Sequence, residues 1–121
     1  MDLSAWAPRL LSILRIVAGL LFLEHGLSKL LHFPIPAPAA LTTTIIAAGV
    51  IELVGGALVA VGLFTRIAAF IMSGEMAFAY FMVHAPRGFY PLTNGGELAV
   101  LYCFLFLYIA AAGPGPWALR R

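Results

Sequence analysis

Charge is what this chain has least of. Seven Lys and Arg and five Asp and Glu make up 10% of its 121 residues, where a soluble domain carries about 25%. Hydrophobic residues account for 63%, and mean hydropathy is +1.03. A water-soluble globule this small could not hide so much apolar surface. The scarcity therefore excludes a soluble enzyme, a disordered tail and a nucleic-acid binder. Cysteine is nearly absent as well. The single Cys103 rules out an intrachain disulfide and a CxxC redox pair, and its apolar setting marks it as an inert small hydrophobe. A Gly-rich phosphate loop, a Ser-His-Asp set and a cysteine metal motif are likewise missing, so no nucleotide or metal is indicated.

What is there is length enough for four spans. A membrane helix takes about 20 residues, and four apolar segments occur, at approximately 8–31, 42–63, 66–84 and 96–112. Pro8 suits a first helical turn, where its missing N–H is not needed. The first segment ends in a stretch with three prolines, Pro34, Pro36 and Pro38, and the last in Gly113-Pro114-Gly115-Pro116. Arg9 ahead of Leu10–Leu23, with Ala37-Pro38-Ala39 downstream, imitates a cleaved signal. Glu24, His25, Lys29 and His32 intervene, so the segment reads as a retained helix. The expected fold is all-α, a single-domain transmembrane four-helix bundle built from two hairpins.

Cations set the expected orientation. Arg9, Arg15, Arg66, Arg120 and Arg121 fall at one end of the helices, and only Lys29 and Arg87 at the other. The positive-inside rule then puts both termini in the cytoplasm. The protein is expected to be a multi-pass component of a prokaryotic plasma membrane.

The remaining charges carry the functional signal. The four glutamates Glu24, Glu52, Glu75 and Glu97 fall one per helix. A charge near a bilayer centre costs at least about 2.5–3.5 kcal/mol, so such groups are expected to face the bundle interior and find partners. At 1.5 Å per residue, Glu24 lies roughly 10 Å below the outer end of its helix, Glu52 roughly 15 Å, and Glu75 close to the midplane. With His25, Lys29, His84 and Asn94 they outline a polar pocket on the outer side. Gly49, Glu52 and Gly56 share one helical face, where small residues admit a neighbouring helix. His25 and Lys29, four apart, share another.

Each feature also has a plainer reading. Asn94-Gly95-Gly96-Glu97 has the spacing of a capping box. Arg15 is expected to snorkel to inner headgroups. Glu24, Glu52 and Glu75 serve equally well as interhelical hydrogen-bonding glue. A carboxylate di-iron site needs Glu-x-x-His on two helices, whereas Glu24 and His25 are adjacent and point about 100° apart.

At this point the residues resemble those of the DoxX family, small four-helix membrane proteins of bacteria and archaea. The resemblance rests on ILRIVAGLLFLEHGLSKL (Ile13–Leu30), Glu52-Leu53-Val54-Gly55-Gly56, Gly62-Leu63-Phe64-Thr65-Arg66, His84-Ala85-Pro86-Arg87-Gly88-Phe89 and Asn94-Gly95-Gly96-Glu97, and it extends from about Ser12 to Trp117. The family takes its name from a membrane subunit of a thiosulfate:quinone oxidoreductase. Other members are associated with redox and thiol-stress responses. The resemblance implies a quinone as ligand, or a redox partner protein docked at the membrane. The residues to bind the quinone head group or relay protons are then Glu24, His25, Lys29, Glu52, Glu75, His84 and Glu97, with aromatic residues of the last helix flanking the ring. A different class of function, binding or transport of a small solute or lipid, also uses an intramembrane carboxylate cluster. Four helices are few for alternating access, so that reading calls for a homodimer. A structural scaffold is the third alternative.

Overall fold

The computed structural model describes residues 3–33 and 42–120. All regular structure in them is helical. A 3-10 turn, Ser4–Trp6, leads into α1, Ala7–Leu31. Pro8 stands in the first turn of α1, and His32 ends the helix in the left-handed region, φ 58°, its N–H returning to Leu27 O. The helix thus stops at His32, ahead of the prolines expected to stop it. Those prolines, like Asp2 and Arg121, lie outside the described residues.

Thr42 caps α2, Thr43–Val61, by accepting from Ile45 N at 3.2 Å, as an N-cap threonine does. Gly62 closes α2 at φ 80°. Its N–H and that of Leu63 both reach Leu58 O at 2.9 Å, satisfying carbonyls that a bilayer could not. Only Gly62, Leu63 and Phe64 separate α2 from α3, Thr65–Ala79. α3 runs on through a π-helical turn, Tyr80–His84, and a 3-10 turn, Ala85–Arg87. The loop expected after His84 contains a short helix, α4, Pro91–Asn94, before α5, Glu97–Ala112.

α1, α2 and α3 with its extension are long and apolar enough to cross a membrane, and α5 is a shorter apolar helix. At 1.5 Å per residue, the 16 residues of α5 span about 24 Å, less than the hydrocarbon core of about 30 Å. The short α4 and the non-helical residues 113–120 sit at its two ends. The architecture is a helical membrane bundle whose outward faces are apolar: Val17, Leu20, Val54, Ile67, Phe70 and Leu101 are all exposed.

Two hairpins make the bundle, α1 packed on α2 and α3 packed on α5, with a thinner α2–α3 contact. Glycine makes the first seam close. A Cβ on Gly19 would stand 2.6 Å from Ala60 N and 2.8 Å from Gly56 O. One on Gly26 would stand 2.8 Å from Gly49 O, and one on Gly56 2.7 Å from Gly19 O. With lipid as apolar as any side chain, such close backbone packing is what holds membrane helices together. Phe22 joins the hairpins, its ring edge-on to Tyr102 at 4.9 Å and to Phe106 at 4.7 Å within a core that includes Val59, Met72 and Ile109.

Arg15 does not snorkel. It is 1% exposed and donates to the carbonyls of Pro114, Trp117 and Ala60. Ser12 assists, its hydroxyl donating to Pro114 O and accepting from Trp117 N. Leu119 N and Arg120 N bond to Val61 O and Gly62 O at 3.0 Å. The tail therefore folds back over this end of the bundle, and its non-helical carbonyls take up the guanidinium that would otherwise seek headgroups. Arg66 acts similarly on Ala110 O and Ala111 O at the end of α5.

Candidate functional site

Three of the expected site residues converge. Lys29 Nζ donates to both carboxylate oxygens of Glu52, at 2.7 and 2.6 Å. Glu52 is 1% exposed and the Lys29 side chain 24%. Gly49 lets the end of α1 approach here: a Cβ on it would stand 2.8 Å from Leu30 Cδ2 and 3.2 Å from Lys29 Cβ. Lys29 Cβ therefore stands level with Gly49, while its ammonium reaches Glu52, three residues deeper along α2.

Glu75 completes the cluster from α3. Its carboxyl lies against that of Glu52, within the field of Lys29. Its Oε1 is buried with no hydrogen-bond partner among the described residues. Fully ionised, the three groups sum to one negative charge. They become neutral when the two carboxyls hold one proton between them. The arrangement thus pairs a fixed cation with a carboxyl oxygen that still has capacity for a donor or a bound ligand.

The other candidates lie apart. Glu24 and His25 are exposed on α1. Glu24 shares its side with Val17, Leu20 and Leu21, all exposed, away from the Gly19–Gly26 seam. Not every membrane glutamate therefore faces the interior. His25 lies beside Phe22, ring centroids 6.1 Å apart, while Lys29, on the same helical face, has swung to Glu52. Glu97 is exposed in the first turn of α5. The capping box does not form: Gly96 is the N-cap without a side-chain bond. Asn94 Oδ1 accepts from Gly96 N at 2.8 Å instead.

Asn94 organises the turn that holds His84. It is buried, and its Nδ2 donates to Tyr80 Oη at 3.1 Å and Gly88 O at 3.0 Å. His84 Nδ1 sits 3.2 Å from Asn94 O. Sequence reasoning gave Asn94 a secondary part and missed Tyr80. The π-helical turn through Tyr80 brings these groups together, and no sequence signal announces it.

The aromatic residues of α5 divide between two faces. Leu101, Phe104 and Tyr108 are exposed, and the inward aromatics are Tyr102 and Phe106, stacked on each other at 5.8 Å. Cys103 is half-buried, its carbonyl accepting from Ser73 Oγ at 2.7 Å across the α3–α5 seam. Among the described residues no group of three His, Cys, Asp or Glu has metal-binding geometry.

The sequence profile of the DoxX family matches residues 10–85, which contain α1 from Leu10 onward, α2, α3 and the whole Lys29–Glu52–Glu75 cluster. The chain belongs to the DoxX family. It is 49% identical over 125 residues to a Haemophilus influenzae protein described as uncharacterized, covering 98% of this chain and 93% of that one. It is 26% identical over 137 residues to an uncharacterized membrane protein of Mycobacterium tuberculosis, covering 98% and 84%. No solved structure matches. Family and fold together describe a multi-pass bacterial plasma-membrane protein in contact with the lipid bilayer.

Proposed function

We propose that this DoxX protein is the membrane subunit of a quinone-linked oxidoreductase system and that Lys29, Glu52 and Glu75 hold the quinone head group. The observation that carries the reading is the pairing of Lys29 with the buried Glu52 beside a Glu75 Oε1 that is buried without a partner among the described residues, in a bundle otherwise short of charge. Such groups are expensive in a membrane and are by default functional. A quinone needs both things the cluster offers. Its carbonyl oxygens accept hydrogen bonds, from the Lys29 ammonium or a protonated carboxyl. On reduction by two electrons it also takes up two protons, one on each oxygen, and carboxyls at the ring can pass them on. The electrons come from a redox partner protein, since this chain has neither a CxxC pair nor a second cysteine. In this reading His25, His84, Glu24 and Glu97 serve the proton path or the outer surface rather than the ring. The termini face the cytoplasm, as the cation distribution suggests.

Titration of the purified protein in nanodiscs with decylubiquinone tests the reading. Glu52→Gln and Glu75→Gln are expected to keep their helical circular dichroism and weaken binding at least about tenfold. Binding unchanged in both, with thermal stability alone reduced, would establish the scaffold reading instead. A second reading, proton-coupled handling of a small solute by a dimer, draws support from Glu24, a carboxyl on the exposed apolar side of α1. Proteoliposomes that acidify in response to a solute gradient, losing that response in Glu24→Gln, would favour it.

A further inference from the structure

The thin α2–α3 contact leaves a groove on the outside of the bundle. It encloses about 400 Å³, within the size range of ligand pockets. Val54, Gly55 and Leu58 of α2 form one wall, Ile67, Ile71 and Met72 of α3 the other, and Phe64 closes the end at the interhelical turn. The lining is apolar throughout. Gly55 sets the depth: a Cβ there would be 2.9 Å from Met72 Sδ, so a larger residue would fill the floor.

The groove leads to the polar cluster. On α3 the lining residues Ala68, Ile71 and Met72 are seven, four and three positions before Glu75, the spacing of a single helical face. Glu75 therefore stands on the same stripe, one turn beyond the last lining residues, and it is there that Oε1 is buried without a partner among the described residues. On α2 the lining reaches Val50 and Ile51, so the groove runs along that helix as far as the level of Glu52. We propose that the groove seats the apolar tail of a neutral-headed, single-tailed membrane lipid whose head lies at Glu75. Resting on the preceding functional reading, that lipid is the quinone, and its tail enters sideways from the bilayer through the α2–α3 face.

Charge complementarity selects this occupant over a phospholipid. Lys29, the cation of the cluster, is already held by both oxygens of Glu52. A phosphate there would meet two carboxyls and a cation already neutralised, whereas a neutral head that exchanges hydrogen bonds meets no such repulsion.

Ile67→Trp fills the groove at an exposed position two turns from Glu75, about 12 Å along the helix, and Val54→Trp fills it from α2. Ile13→Trp, exposed on α1, is the control for added bulk. Each variant is titrated in nanodiscs with decylubiquinone and with the same benzoquinone ring lacking a tail. The expected result is at least tenfold weaker decylubiquinone binding in Ile67→Trp and Val54→Trp, tail-less ring binding within twofold of the parent, and no change in Ile13→Trp. Equal weakening of both probes, or no weakening of decylubiquinone, would overturn the tail site while leaving the head site standing. A phospholipid that co-purifies with the parent and is lost from Ile67→Trp, with quinone binding intact, would also overturn it. Failure of the parent to bind either quinone would overturn the head-group reading itself.

Discussion

Glu52 owes its place to Lys29. Removing one partner of a buried ion pair leaves an uncompensated charge and costs about 3–5 kcal/mol, whereas replacing both with apolar residues is often neutral or stabilising. Lys29→Met is therefore expected to lower the midpoint of thermal unfolding in detergent by several degrees. The double change Lys29→Met with Glu52→Leu should recover most of the loss. Stability without ligand binding in the double variant would separate the structural part of the pair from its functional part. Arg15 is a second such residue. It satisfies three carbonyls at once, and a buried polar group left unpaired costs about 1–3 kcal/mol. Arg15→Ala should destabilise the chain by about that much per orphaned carbonyl. It should also speed hydrogen exchange at Leu119 and Arg120, whose amides hold the tail to α2. Lys at this position should restore little, because a single ammonium lacks the planar fork that reaches separate acceptors.

At the scale of elements, the two hairpins are held differently. The α1–α2 seam is backbone against backbone at Gly19, Gly26, Gly49 and Gly56, while α3–α5 is joined by larger side chains and the Ser73 bond to Cys103. Gly56→Ala is expected to force the first pair apart and cost about 1–3 kcal/mol, the usual penalty for overpacking. Gly74 supplies the contrast. It lies inside α3, and a Cβ added to it would have nothing within 4 Å. Gly inside a helix costs about 0.5–1 kcal/mol relative to Ala. Gly74→Ala should raise the unfolding midpoint where Gly56→Ala lowers it, both read by circular dichroism in one detergent. The helix periodicity and the Gly49–Glu52–Gly56 face were readable from residue order. The π-helical turn at Tyr80–His84 and the short α4 were not, because both depend on contacts that Asn94 makes across the loop.

At the scale of the molecule, the two ends of the bundle differ in kind. One end carries Arg15 and Arg66 clasping the tail and the end of α5, the other the His84–Asn94 turn, with the Lys29–Glu52–Glu75 cluster between them. Reporter fusions to the C-terminus test the proposed orientation. Green fluorescent protein there should fluoresce and alkaline phosphatase should stay inactive, and the reverse pair of results would place the His84–Asn94 turn on the cytoplasmic side. The fusion reads orientation independently of any ligand.

Residue order alone determined the class of this protein and the identity of its few charges. Hydrophobicity and segment length are local quantities, and a bilayer imposes one solution on them, helices with every backbone group satisfied. Partnership is not local. Arg15 and Lys29 are both long cations of α1, yet one is buried under a tail about 100 residues away in sequence and the other is tied to Glu52 across the α1–α2 seam. Glu24 and Glu52 look alike as isolated membrane glutamates, yet one faces outward and the other is sealed in an ion pair. Which way each pointed was decided when the helices packed, because the rotation of a helix about its axis is set by the seam it closes.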